Sequence, residues 1–332
     1  QNSKQSGYKV LARKYRPRDF SSLIGQGAMV RTLTNAFNSG RLAHAFILTG
    51  VRGVGKTTTA RIIAKALNCV GPDGTGGPTI EPCGICEFCN AISEDRHMDV
   101  LEMDAASRTG VEDIRELIEG VRYLPASARY KVYIIDEIHM LSGNAFNALL
   151  KTLEEPPTYV KFILATTEIR KVPATVLSRC QRFDLRRVDT KTLSEHFSKI
   201  TEMENARIST DALAVVARVA DGSVRDGQSL LDQIITTAAR DQREIGDSDV
   251  REILGLADRE RTFDLLELVL NGQIEMALDT LSKDYHNGAN PLLTLQDMLE
   301  LVHWLTRVKV SPSVLLDLSN AESERVRGQA LA

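Results

Sequence analysis

The residues Gly50-Val51-Arg52-Gly53-Val54-Gly55-Lys56-Thr57 satisfy the spacing G-x-x-x-x-G-K-[ST]. Glycines at those positions let the backbone turn tightly, so that its N–H groups converge on phosphate oxygens at a helix N-terminus. Lys56 then places a compact cation against the β- and γ-phosphates, and the Thr57 hydroxyl is of the type that ligates Mg²⁺. Thr58 follows on the same helix start. A nucleoside triphosphate carried with Mg²⁺ is the ligand this loop fits; an accidental glycine-rich turn is the alternative.

A second element agrees. Val132-Tyr133-Ile134-Ile135 is an apolar run that ends in Asp136 and Glu137, as a buried strand does at the edge where open α/β sheets bind ligands. Asp136 suits the metal and Glu137 suits a general base for the attacking water, which argues for hydrolysis over simple binding. Capping of the next helix is the bland reading of the same pair. Cys69, Cys83, Cys86 and Cys89 form C-x₁₃-C-x₂-C-x₂-C. That spacing suits one tetrahedral Zn²⁺ with no open position, hence a structural ion; reduced thiols are the alternative. The histidines at 44, 97, 139, 196, 286 and 303 show no ligand spacing, and His139 reads as structural. Cys180 reads as a small buried residue.

The elements that must position these groups are legible as alternating runs. HAFILT (44–49), MDVLEMD (98–104), KVYIID (131–136) and VKFILATT (160–167) predict parallel strands. Residues 58–68, 111–124 and 145–155 predict amphipathic helices, the last closed by Pro156-Pro157. The expected fold is α/β: a parallel sheet covered on both faces. Beyond Leu185 only helices are expected: three or four over 190–250, then 263–270, 291–308 and 313–318. The partition is 1–187 for the α/β domain with its cysteine insertion, 188–250 for a small helical domain and 251–332 for a helical C-terminal domain.

With 332 residues and 43 % apolar composition the chain can bury several cores. A net charge of −3 excludes a globally basic nucleic-acid coat. Charge is segregated, however: residues 1–48 carry eight basic side chains against Asp19, and 244–332 carry sixteen acidic against eight basic. No apolar run suits a bilayer and no signal-peptide core precedes residue 10, so a reducing, cytoplasmic setting is expected. Gln1 and the ending SERVRGQALA suggest a portion of a longer protein.

DEIHMLSGNAFNALLKTLEEPP (136–157) and FILATTEIRKVPATVLSRCQRFDL (162–185) resemble the AAA+ clamp-loader ATPase family. With RKYRPRDFSSLIGQ (13–26) and the four-cysteine insertion the likeness is nearest to the bacterial DNA polymerase III clamp loader, and it spans essentially the whole chain. The resemblance implies an AAA+ P-loop domain with a zinc knot, a helical lid and an all-α oligomerisation collar. It implies an ATPase motor subunit of the DNA polymerase III holoenzyme, which opens a sliding clamp and loads it on primer–template DNA. A non-hydrolysing scaffold subunit and another AAA+ DNA motor are the alternatives.

Several residues take roles only through that resemblance. Thr167, or its neighbour Thr166, matches the residue that senses the γ-phosphate, although a threonine pair also ends ordinary strands. Arg179 in SRC matches a finger that reaches the neighbouring subunit's ATP; taken alone it reads as a surface salt bridge. Arg225 in GSVRD matches the arginine given to the nucleotide by the second domain, and Gly227 stands where alanine is commoner. Arg16 and Tyr15 lie in the arm that covers adenine, and Arg108 matches a DNA-facing segment. The implied partners are the other subunits of a pentameric hetero-oligomer, the clamp and primed DNA, with polymerase core and helicase reached through residues beyond 332. The implied setting is nucleoid-associated.

Overall fold

A computed structural model describes residues 9–107, 111–238, 243–254, 259–286 and 289–310. Arg108 and the helix expected at 313–318 lie outside the described residues. Two compact units are present: residues 1–192 with 221–226, and residues 193–220 with 227–332.

The first unit begins with α1 (Leu11–Lys14) and α2 (Gly27–Asn38). There follow β1 (Ala45–Thr49), α3 (Lys56–Asn68), α4 (Glu87–Ser93), β2 (Val100–Asp104), α5 (Val111–Val121) and β3 (Lys131–Asp136). It continues with α6 (Gly143–Glu154), β4 (Val160–Thr166), α7 (Ala174–Leu177) and β5 (Gln181–Asp184), with α8 (Thr190–Met203) beginning at its end. The strands are parallel in the order β2-β3-β4-β1-β5.

Alternation along the strands divides the core between two faces. Phe46, Leu48, Val132, Ile134 and Ile163 pack with Leu33 of α2 and with Ile62 and Ile63 of α3. Ala45, Ile47, Tyr133, Ile135 and Phe162 pack on the opposite face with Ile114 of α5 and with Phe146 and Leu149 of α6. Every residue of β1 and β4 is buried, as a central strand covered twice requires. β2 is an edge strand and half-exposed, which explains why MDVLEMD mixes acidic and apolar residues. The sequence pattern passes over β5, whose QRFD has one buried side chain, and it passes over α2 as well.

In the second unit α8 runs on into α9 (Thr210–Val219), α10 (Val224–Ala238), whose first three residues belong to the first unit, and α11 (Asp247–Ile253). Ile208 and Ile245 form a short parallel bridge that brings α9 and α11 together. Gly227 has a local reason. A Cβ there would fall 2.2 Å from Cζ of the fully buried Phe197 ring and 3.0 Å from the Ala220 Cβ. The large ring on α8 therefore takes the volume that an alanine on α10 would need. Next come α12 (Arg259–Leu270), α13 (Ile274–His286) and α14 (Pro291–Val310). Phe263 meets Trp304 edge to face, with ring centroids 6.3 Å apart, in a core completed by Leu266, Leu301, Leu305 and Val308. Among the described residues no helix is long and apolar enough to cross a membrane.

Candidate nucleotide site and cysteine cluster

Parallel strands bring their C-terminal ends to one edge, and the chemistry-bearing residues gather there. Thr49 at the end of β1 is level with Thr166 at the end of β4, and Ile135 of β3 is level with Leu164. The loop 50–55, residues 136–137 and residues 166–167 therefore leave the sheet side by side.

Two glycines in the loop are required by their surroundings. Gly50 has φ 154°, and a Cβ on it would fall 2.7 Å from the Leu185 carbonyl oxygen. Gly53 has φ 76°, and a Cβ on it would meet the Ser223 hydroxyl. Ser223 belongs to residues 221–226, which pack on the loop: the Arg225 amide donates to the Gly53 carbonyl at 3.2 Å.

Lys56 is buried, and its Nζ donates to the carbonyl oxygens of Gly50 and Val51, each at 3.0 Å. Burial lowers its hold on the proton, while Glu137 and Asp136 act to restore it. The Thr57 hydroxyl donates to Asp136 Oδ2 at 2.5 Å, so the two groups suited to Mg²⁺ touch. Asp136 Oδ1 accepts the Glu137 amide at 2.9 Å. Asp136 and Thr57 are hard oxygen donors side by side at the start of a phosphate loop, the donor set that Mg²⁺ takes.

Glu137 has a left-handed backbone, φ 47°. Its Oε2 accepts from the Thr167 amide at 3.1 Å and from the Thr167 hydroxyl at 2.9 Å. Of the threonine pair, Thr167 is the one bonded to Glu137; the Thr166 hydroxyl lies 3.0 Å from His139 Nδ1. On the opposite flank Arg16 Nε donates to the Thr58 hydroxyl at 3.0 Å. Burial, then the cations Arg61 and Arg225, weaken the proton affinity of Arg16. Lys56 and Arg16 thus bring positive charge to the loop and the helix that follows it, which favours an anion.

Arg179 stands apart. Its guanidinium donates to Glu154 Oε1 at 2.6 Å and to the Thr175 carbonyl at 2.7 Å. It precedes β5, whose first residue Gln181 is level with Phe46. From Phe46 to Gly50 the chain advances four residues, about 13 Å at the usual strand rise. Arg179 therefore sits at the edge of the sheet opposite its own phosphate loop.

The four cysteine sulfurs lie within 4.8 Å of one another. A tetrahedral ion at the usual Zn–S length of about 2.3 Å needs sulfurs about 3.8 Å apart, so the donor set fits a metal. Amides of Cys83, Cys86 and Cys89 donate to the sulfurs of Cys69, Cys83 and Cys86 at 3.3, 3.3 and 3.5 Å. Such bonds stabilise thiolates. Arg129 ties the segment to the end of α3 by donating to the carbonyls of Leu67, Cys69 and Gly76 at 2.9, 3.4 and 2.7 Å. Cys180, beside Arg179, is half-buried and not the fully buried residue expected, and that partial burial pushes its thiol up to about 12.

Comparison with known proteins decides the family. Residues 25–189 match the family described as DNA polymerase III, delta subunit, and residues 192–240 match the ATPase lid domain of the DNA polymerase III clamp loader subunit. Residues 245–332 match domain III of DNA polymerase III subunits gamma and tau. A DNA polymerase III subunit gamma from Buchnera aphidicola is 38 % identical over 319 residues, covering 96 % of this chain and 86 % of that protein. The chain belongs to the DNA polymerase III gamma/tau family.

Within that family, subunit tau of Salmonella typhimurium is 42 % identical over 320 residues, 96 % of this chain and 49 % of that protein. The Bacillus subtilis tau subunit is 39 % identical over 332 residues, 98 % of this chain and 58 % of that protein. This gamma/tau chain spans about half the length of the longer curated relatives it matches. Its fold is that of an AAA+ P-loop protein. The Holliday junction branch migration motor RuvB of Thermotoga maritima superposes with a TM-score of 0.55 at 18 % identity, covering 85 % of this chain and 91 % of that one.

Proposed function

We propose that this gamma/tau chain is an ATP-driven motor subunit of a clamp loader, cleaving ATP at subunit interfaces to open a sliding clamp and place it on primed DNA. The observation that carries the reading is the split arrangement: Lys56, Thr57, Asp136, Glu137 and Thr167 converge on one edge of the sheet, while Arg179 lies at the other. Such a molecule has most of an ATPase site and offers a missing cation to a neighbour.

In this reading the backbone of residues 50–58 cradles the phosphates and Lys56 neutralises their charge. Thr57 and Asp136 would hold Mg²⁺, which would supply charge neutralisation to the phosphates when bound. Arg16 and the arm around it cover the base, and Arg225 brings residues 221–226 to the nucleotide. Glu137 takes the proton from the attacking water, with Thr167 setting where the carboxylate points. Arg179 completes the site of the next subunit. Residues 188–250 act as the lid and 251–332 as the collar, which the family matches over 192–240 and 245–332 support. Partners are the other subunits of the pentamer, the clamp and primer–template DNA, with Arg108 a DNA contact. The compartment is the cytoplasm, at the nucleoid.

The test is ATP turnover by the assembled complex with and without clamp and primed template. Stimulation by both is expected; turnover indifferent to them overturns the reading in favour of another AAA+ motor, and no turnover leaves a scaffold. Lys56→Ala removes a charged donor worth about 3 kcal/mol, so ATP affinity should fall about a hundredfold. Retention of near-normal affinity in a fluorescent-nucleotide titration counts against the assigned cradle.

We also propose that the ion at Cys69, Cys83, Cys86 and Cys89 is structural Zn²⁺. Four sulfurs close the coordination sphere, and the segment hangs from the end of α3. A chromogenic zinc assay should find about one Zn²⁺ per chain, and chelation should lower the thermal midpoint because binding free energy is folding free energy here. A chain that purifies without metal and melts unchanged in chelator sinks this assignment.

A further inference from the structure

His139 follows the acidic pair by two residues, in the short turn Ile138–Met140, and its spacing to other histidines suggests no ligand role. Its surroundings say more. The side chain is only 5 % exposed, so its ring nitrogens must find partners within the protein. Nδ1 lies 3.0 Å from the Thr166 hydroxyl and 3.4 Å from Glu137 Oε2. Nε2 lies 3.5 Å from Glu168 Oε1. The Thr166 hydroxyl is fully buried and also accepts the Glu168 amide at 3.0 Å.

A circuit results: Thr167 bonds Glu137, Glu137 faces His139, and His139 bonds Thr166, the neighbour of Thr167. In the tautomer with its proton on Nδ1, the ring would donate to Thr166 and lean toward the carboxylate. Glu137 also carries a backbone conformation that non-glycine residues adopt at a cost. A carboxylate on such a backbone, held from β4 alone, can swing about its side-chain torsions. A second contact, from a ring anchored to the same strand end, removes that freedom, and catalytic geometry requires a base held to a fraction of an ångström.

We propose that His139 is a positioning residue for Glu137, fixing its carboxylate between the turn after β3 and the Thr166–Thr167 end of β4. The inference rests on the reading of Glu137 as general base. Asparagine can place an amide nitrogen near the position of Nδ1, whereas glutamine places one near Nε2. In the assembled complex His139→Ala and His139→Gln should therefore lose about tenfold to a hundredfold in kcat, the usual effect of removing a supporting partner. KM for ATP should stay within about twofold, and His139→Asn should recover to within about threefold of the parent. Crystal structures of the nucleotide-bound parent and of His139→Ala supply a readout independent of turnover: the Glu137 carboxylate should leave Thr167 or split into two rotamers.

Parental kcat in His139→Ala with only a lower melting temperature, equal losses in the Asn and Gln variants, or an unmoved Glu137 in the crystal each overturn the proposal. A parent protein that turns over no ATP refutes the underlying reading instead, and the Glu137 position still decides the role of His139.

Discussion

Replacing Arg179 by alanine should lower ATP turnover of the assembled ring by about 10³- to 10⁵-fold, the effect of removing an arginine finger, with ATP binding retained. The reason is topological. Parallel strands put the loop that enters one strand and the loop that leaves its neighbour at opposite edges, and Arg179 enters β5 while the phosphate loop leaves β1. No side-chain rotation closes about 13 Å along the strand. Within its own chain Arg179 has an ion pair with Glu154 at 2.6 Å, its side chain 33 % exposed. A partly exposed pair of this kind contributes little, about 1 kcal/mol or less, so a neighbour's triphosphate can outcompete the glutamate. The isolated chain should show the same slow turnover with or without the substitution. Equal loss in the isolated chain would mean that the arginine acts on its own nucleotide, and the interface account fails.

Most of the site was legible because its residue types carry their own constraints. Lys56, Thr57 and Asp136 are named by a spacing and a strand end; Thr57 meets Asp136 at 2.5 Å, while Lys56 bonds the Gly50 and Val51 carbonyls. The central strands were equally plain, since burial on both faces leaves unbroken apolar runs. What escaped did so for physical reasons. β5 is four residues long with one buried side chain, too short for periodicity to register. α2 and α13 are amphipathic, so their helical spacing is present in the sequence itself. His139 looked inert because its significance lies across strands, in contacts with Thr166 and Glu137 that no local spacing encodes. The choice between Thr166 and Thr167 had the same cause: the two are neighbours in sequence, and only the fold says which one bonds Glu137. Gly227 needed Phe197, thirty residues earlier, to explain it.

Glu137→Gln should abolish most turnover, by about 10²- to 10⁴-fold, the usual contribution of a general base, while leaving nucleotide binding intact. Glutamine matches glutamate in shape, and its amide oxygen can still accept from the Thr167 amide and hydroxyl, which now lie at 3.1 and 2.9 Å. The fold therefore loses little, about 1 kcal/mol at most. Lys56, Thr57 and Asp136 are untouched, so the phosphate cradle and the metal donors persist. Only the capacity to take a proton from water is gone. The substituted ring should accordingly bind ATP, engage clamp and primed template, and stall before cleavage. Calorimetric titration with ATP, beside a phosphate-release assay, separates the two steps. Loss of affinity in proportion to loss of turnover would move Glu137 from the chemistry to the binding of nucleotide, and undisturbed turnover would require the proton to go elsewhere.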